Sequence, residues 1–250
     1  MDMPPDLRKP RSFSEKVVHR KLFVTNPDLS VLADKHAVRD YVAARVGPEI
    51  LNEVYCVVSD PDDIPFSSLP DAFVVKATHG SGMNIFVTNK AKLDIEAAKE
   101  RCRGFLKRTY GEETNERHYL AIPPHILVEE FLFEPHGVPA VDYKCYVLHN
   151  IWVRFGRFAD HTARFFDRDW RPLDVVLHFP LGPVVERPRN LERIIEIAEK
   201  LAEGFDFLRV DLYSIADKPV GFGEITVTPV AGLERFGPNP KFDFELGALW

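Results

Sequence analysis

Asp211 and Glu224 stand 13 positions apart, in Phe207-Leu-Arg-Val-Asp-Leu-Tyr213 and Val220-Gly-Phe-Gly-Glu-Ile-Thr226. Each segment alternates as a half-buried strand does, and Asp217-Lys218-Pro219 between them carries turn chemistry. A hairpin centred on Asp217-Lys218 pairs Asp211 with Glu224 and Arg209 with Thr226, placing all four on one face. Leu208, Val210 and Leu212 take the opposite face and so define the register. Carboxylates on cross-strand neighbours, roughly 5 Å apart at Cβ, repel each other. A hard cation between them relieves that repulsion, and two carboxylates with a hydroxyl suit Mg²⁺ bound together with phosphate oxygens. The competing reading is a solvated acidic edge, which the apolar opposite face weakens.

Other segments offer chemistry that is ambiguous when each is taken alone. His79-Gly80-Ser81-Gly82 follows a strand carrying Lys76, so backbone N–H groups and one ammonium could approach a phosphate. Many such loops are only hairpin turns, and this one has neither the order of a Walker A loop nor that of a Rossmann fingerprint. Val128-Glu129-Glu130-Phe131 could present a strand edge to an adenine and a carboxylate to a ribose, or could be a plain edge strand. Asp142 and Lys144 share a strand face, where such a pair is usually a surface ion pair. Arg154, Arg157, His161 and Arg164 lie among Asp160, Asp167 and Asp169, a mixture of signs that argues against a general polyanion surface. No Ser-His-Asp or Cys-His arrangement is legible, and the nine histidines show no metal-ligand spacing.

These residues need strands and helices to hold them. Asp34 to Val46 reads as a helix closed by Gly47-Pro48. Ala72–Ala77, Met83–Val87 and Ile126–Leu132 read as strands, with a helix from about Asp94 to Tyr110 before the third. Val141–Val147 and Ile151–Phe158 are strands, followed by a long loop rich in arginine and aromatics. Asn190 precedes an amphipathic helix with Leu191, Ile194, Ala198 and Leu201 on one face and Gly204 at its end. The hairpin and a Gly/Pro-rich tail complete the chain. The expected division is three lobes, 1–70, 71–140 and 141–250.

The chain has 250 residues, 45% hydrophobic and 28% charged, with a net charge of −6. That is an ordinary globular composition, and without a basic tract interleaved with aromatics it argues against nucleic acid as a partner. The N-terminus lacks the apolar core of a signal peptide, and no run is long enough to span a bilayer. Cys56, Cys102 and Cys145 are odd in number and far apart, as suits free thiols in a reducing compartment. A cytoplasmic protein is the expectation.

The order of the pieces (lysine on a strand, glycine loop, adenine-edge strand, then Asp and Glu-x-Thr on a hairpin) resembles the ATP-grasp superfamily of carboxylate–amine ligases. That superfamily usually carries Asn where this chain has Thr226. Within it, the TupA-like branch, named for teichuronopeptide biosynthesis, is similar over nearly the whole chain. Arg11-Ser-Phe-Ser-Glu-Lys16 resembles its TFNEK segment and Leu32-Ala-Asp-Lys-His-Ala-Val-Arg-Asp-Tyr41 its LADKYAVREY segment. Val75–Gly82, Asp142–Lys144, Arg164–Asp167 and Arg209–Tyr213 also fit. The resemblance implies an α+β (α/β) ATP-grasp fold, with ATP held between a small central lid and a mainly antiparallel C-terminal sheet. It also implies site residues. Lys35, Lys76, Gly80, Ser81 and Gly82 would hold phosphates, Glu129 and Phe131 the adenine, Asp142 the ribose and Lys144 a phosphate. Asp211, Glu224 and Thr226 would bind Mg²⁺, with Arg209, Arg164 and Arg157 catalytic.

The implied activity joins a carboxylate to an amine through an acyl phosphate, in cell-surface polysaccharide biosynthesis and in association with enzymes of that synthesis. The carboxylate would belong to a uronic acid, another glycan group or an amino acid. A phosphotransferase acting on a sugar hydroxyl and a non-catalytic nucleotide- or sugar-binding accessory are the alternatives. One departure stands out: the branch continues Glu-Leu-Thr-Phe-Tyr-Pro-Gly-Ser-Gly, whereas here Val230 takes the place of the first of those glycines, within Glu224-Ile-Thr-Val-Thr-Pro-Val-Ala-Gly232. That exchange implies altered acceptor specificity or reduced activity.

Overall fold

A computed structural model describes residues 5–133, 140–148, 151–157, 162–215 and 220–250, and of 151, 152 and 154–157 the backbone alone. Three helices come first: α1 (Phe13–Phe23), α2 (Asp28–Ala33) and α3 (Val38–Val46). A capping box starts α1: Ser12 Oγ accepts from the Glu15 amide at 3.2 Å, and the Glu15 carboxylate accepts from the Ser12 amide at 3.0 Å. Helix α3 starts later than the expected Asp34, because the Asp34 carboxylate accepts from the amides of His36 and Ala37 (2.8 and 3.2 Å) and makes a turn there. Gly47, with φ 97°, ends the helix.

Strands β1 (Val54–Val58), β2 (Phe73–Ala77) and β3 (Asn84–Val87), then helices α4 (Ile95–Leu106) and α5 (Tyr110–Glu113) and strand β4 (Ile126–Glu130), build the smaller unit. Its antiparallel sheet runs β1-β4-β2-β3. Ala98 and Cys102 of α4 pack with Phe73, Val75, Ile85, Ile126 and Val128 in one core. The sheet draws its edge strand β1 from before residue 70. Ile64, Phe66 and Leu69, from the segment after β1, are buried in the same core.

The larger sheet contains β5 (Val141–Val147), β6 (Ile151–Arg157), β7 (Thr162–Phe166), β8 (Pro172–Leu173), β9 (Leu208–Ser214) and β10 (Gly221–Thr226), in the order β10-β9-β5-β6-β7-β8 and antiparallel throughout. Strands β7 and β8 lie where a long loop was expected; the apolar residues of Ala163-Arg-Phe-Phe166 cover both faces of the sheet and hide the alternation. Helix α6 (Leu191–Ala202) buries Leu191, Ile194, Ile197 and Ala198 against Cys145, Val153, Val210 and Leu212. The Asn190 side chain makes no capping hydrogen bond; instead its Oδ1 accepts from Ser214 Oγ at 2.9 Å. The C-terminal tail contains α7 (Lys241–Ala248), whose Phe242 and Leu246 join Phe13, Tyr146, Phe165 and Phe207 on the other face of the large sheet. Among the described residues, no helix is long and apolar enough to cross a membrane.

Candidate functional site

Strands β9 and β10 pair Asp211 with Glu224 and Arg209 with Thr226, the register the alternation predicts, while the turn at Asp217-Lys218 lies outside the described residues. Nearer the turn the register shifts by one, with Phe222 opposite Leu212 and Gly221 opposite Tyr213. The extra residue lets Phe222 and Ile225, three apart, both enter the α6 core, while Glu224 faces the other way. A Cβ on Gly223 would stand 2.9 Å from the Asp211 carbonyl oxygen and 3.0 Å from Tyr213 Cε2, so the bulge demands glycine.

The two acids do not face each other unscreened. Arg209 Nε donates to Asp211 Oδ1 at 2.7 Å, and its Nη2 donates to Asp211 Oδ2 at 2.8 Å and to Glu224 Oε1 at 3.1 Å. Lys144 Nζ, opposite Asp211 on β5, lies 2.6 Å from Asp211 Oδ2 and also pairs with Asp142. The repulsion that pointed to a metal is therefore already met by a guanidinium and an ammonium. Burial works to raise the pKa of Asp211, but Arg209 and Lys144 outweigh it and hold the carboxyl below its ordinary range. Glu224 is lowered too: Lys35 and Arg209 outweigh burial and the neighbouring Asp211 charge. Burial raises Asp142 despite Lys144.

The small sheet contributes from the opposite side. Lys76 on β2 pairs with Glu129 on β4, and Lys35 Nζ donates to the carbonyl of Gly80 in the glycine loop. Burial pushes the Lys35 pKa down, with Glu224 the largest opposing attraction. A Cβ on Gly80 would collide with Met83 and with the ring of Tyr110, and Gly82 adopts φ 73°. The loop is thus pressed onto α5 while Ser81 and Gly82 stay exposed. Phe131, just past β4, packs on Phe86 with ring centroids 5.7 Å apart.

Between the two sheets lies a cavity of about 550 Å³. Its lining includes Lys35, Lys76, Ser81, Gly82, Glu129, Phe131, Asp142, Lys144, Arg209, Asp211 and Glu224. Gly80 sits behind the loop's exposed tip, and Thr226 reaches the cavity only through its hydrogen bond to Glu224 Oε1 at 3.3 Å. Arg164 is not brought there. Its register partner is Phe155, which pairs with Tyr143, so Arg164 takes the strand face opposite to Asp142 and Lys144. Arg157 ends β6 opposite Thr162, and its side chain lies outside the described residues, as do the side chain of Arg154 and the whole of His161. Asn52, Asn84, Tyr213 and Phe179 also line the cavity. Tyr213, two residues after Asp211 on one strand, was legible from alternation; Asn52 and Phe179 arrive from distant loops that carry no local signal.

The donors fit Mg²⁺. Asp211 and Glu224 are hard oxygen ligands held ionised, and Mg²⁺ needs only one or two carboxylates beside phosphate oxygens and water. Among the described residues no group of three acids, histidines or cysteines could hold a metal alone.

A family model described as TupA-like ATPgrasp matches residues 15–250. The fold is that of ATP-grasp ligases. One similar structure is a D-alanine–D-alanine ligase from Helicobacter pylori (TM-score 0.51, 15% identity, covering 87% of this chain and 60% of the other). Another is the ADP complex of purK, N5-carboxyaminoimidazole ribonucleotide synthetase (TM-score 0.50, 12% identity, covering 80% of this chain and 46% of the other). The chain therefore spans about half to three-fifths of the length of these structures. No curated protein matches it.

Proposed function

Because the chain belongs to the TupA-like ATP-grasp family, we propose that it is an ATP- and Mg²⁺-dependent ligase that joins a carboxylate to an amine through an acyl phosphate. The observation that carries this reading is the convergence of four cations, Lys35, Lys76, Lys144 and Arg209, with Asp211 and Glu224 on one cavity between the two sheets. A nucleotide fits its two ends. Phe131 and Tyr213 offer apolar surface to a base, and the buried Asp142 Oδ1, without a hydrogen-bond partner, awaits a donor such as a ribose hydroxyl.

In this reading a substrate carboxylate oxygen attacks the γ-phosphorus and ADP departs. The amine then attacks the acyl carbon, inorganic phosphate leaves, and the amine proton passes to solvent or to a phosphate oxygen. Lys35, Lys76 and Lys144 neutralise phosphate oxygens, and Arg209 stabilises the oxyanion formed at the acyl carbon. Mg²⁺ held by Asp211, Glu224 and Thr226 would supply further charge neutralisation at the phosphates. The small sheet with its glycine loop excludes water from the acyl phosphate. The family's association points to a uronic-acid or amino-acid carboxylate of cell-surface polysaccharide as the substrate class, and the work of making that polymer to the cytoplasm. Incubation of candidate carboxylates with Mg·ATP and hydroxylamine should give a hydroxamate and ADP. AMP with pyrophosphate would refute the acyl-phosphate route, and a stable phosphorylated product formed without amine would assign phosphotransfer to a hydroxyl.

A further inference from the structure

Arg164 lies outside the cavity yet is fastened with unusual thoroughness. Its side chain is 11% exposed; Nε donates to the Gly182 carbonyl at 2.9 Å, and Nη1 donates to the Leu173 carbonyl at 3.3 Å and to Asp174 Oδ1 at 2.7 Å. Asp174 is largely solvated, so that ion pair contributes little. The two carbonyls matter more, because they are the two ends of a strap that leaves the edge of the large sheet at Leu173 and returns at Gly182. One planar guanidinium with several donors can clip both ends at once.

Between its ends the strap is held over the sheet at defined points. Val176 exchanges both backbone hydrogen bonds with Gly237, at 2.7 and 3.0 Å. Leu177 is buried with Tyr146 and Phe165, on the sheet face that also carries Lys144. His178, in the left-handed region at φ 71°, pairs with Glu234. Pro180 and Gly182 bond to the Ala163 backbone at 3.0 and 2.9 Å. These fastenings deliver Phe179 into the cavity wall. The strap leaves β8 and returns beside β7, beyond β6, whereas among the described side chains the cavity floor is formed by β5, β9 and β10. Phe179 therefore closes the side nearest Asp142 and Lys144, away from Glu224.

We propose that Arg164 is a positioning residue: by clipping Leu173 to Gly182 it holds Phe179 as the β6-side wall of the nucleotide half of the cavity. This rests on the nucleotide reading above. It gives Arg164 a part in ligand binding without contact to the reacting atoms.

Calorimetry with Mg·ADP tests it. Binding by the unaltered protein tests the nucleotide reading by itself. Given that binding, Phe179→Ala and Arg164→Ala should each weaken Mg·ADP by about ten-fold, and the double variant should be no weaker than either single, because both remove the same wall. Arg164→Lys, which can serve one carbonyl but not both, should fall between. Hydrogen exchange on the same proteins should show the 174–182 amides losing protection in Arg164→Ala, while Phe179→Ala keeps it. Multiplying effects in the double variant, an unchanged affinity in Phe179→Ala, or a strap still protected in Arg164→Ala would each overturn the proposal.

Discussion

Thr226 Oγ1 donates to Glu224 Oε1 across 3.3 Å, two residues along the same strand. The hydroxyl thus serves the carboxylate and meets a cation only beside it. Thr226→Ala should weaken the Mg²⁺ dependence of nucleotide binding only a few-fold, because a lost neutral hydrogen bond is worth about 0.5–1.5 kcal/mol. Thr226→Asn should retain binding, since its carboxamide oxygen is a comparable hard donor. A Mg²⁺ titration of ADP affinity measures both; complete loss in Thr226→Ala would make the hydroxyl a principal ligand.

The two acids should separate in stability even though the proposed reaction gives both the same part in holding the metal. The Asp211 side chain is 3% exposed and takes both Arg209 and Lys144, so Asp211→Ala leaves each of these buried cations with one carboxylate, Glu224 or Asp142, in place of two and should cost about 3 kcal/mol. Glu224 is 34% exposed on its side chain and shares Arg209 with Asp211, so Glu224→Ala should cost clearly less, about 0–1 kcal/mol. Chemical denaturation of the two variants alongside an ADP-release assay checks this; equal stabilities would contradict it.

Gly223→Ala asks whether the bulge positions Glu224. The added methyl meets backbone at 2.9 Å, which cannot swing aside as a side chain could, so a loss of about 1–3 kcal/mol is expected. Nucleotide affinity should fall with it, because Glu224 turns out of the cavity when the register straightens. A variant as stable and as tight-binding as the parent would show that the bulge is incidental.

Acid should destabilise the fold well above the range of the carboxylates. Burial holds the His118 imidazole down to about 3, with Arg20 adding to the effect, and its Nε2 has no hydrogen-bond partner. An unfolded histidine protonates near pH 6.5, so as pH falls the unfolded chain takes up a proton that the native state refuses. Stability is lost between about pH 6.5 and 3, by up to roughly 1.4 kcal/mol per unit. Asp211 and Glu224 act lower: their depressed pKa values stabilise the fold above the ordinary carboxylate range, about pH 4, and that contribution goes as pH falls through the folded values. Urea denaturation at pH 7, 6 and 5 should show a shallower decline in His118→Phe than in the parent. His79, also lowered by burial, leaves a residual slope.

What the sequence made legible was what local pattern encodes. Leu208, Val210 and Leu212 alternate cleanly, so the Asp211–Glu224 pairing is legible in the sequence. The bulge could not, because Gly223 looks like any strand glycine until Phe222 and Ile225 are seen to enter one core. The resemblance implies a catalytic Arg164, whereas strand parity sends it to the face opposite Asp142 and Lys144. Phe179 and Asn52 come to the cavity through tertiary packing alone. Val230 replaces a family glycine yet keeps the left-handed backbone at φ 47°, followed by Ala231 at 53° and Gly232 at 67°. The surroundings therefore impose that shape on residues that resist it.

The small sheet begins at β1 and ends at β4, and these strands are direct partners, with Val54 opposite Glu129. The first and last strands of that sheet thus lie side by side along one seam. The seam is not its only tie: the Lys35 amide donates to the Thr78 carbonyl at 3.4 Å, Lys21 Nζ to the Thr114 carbonyl at 3.3 Å and Thr228 Oγ1 to the Glu116 carboxylate, so any widening of the cavity must also break these contacts.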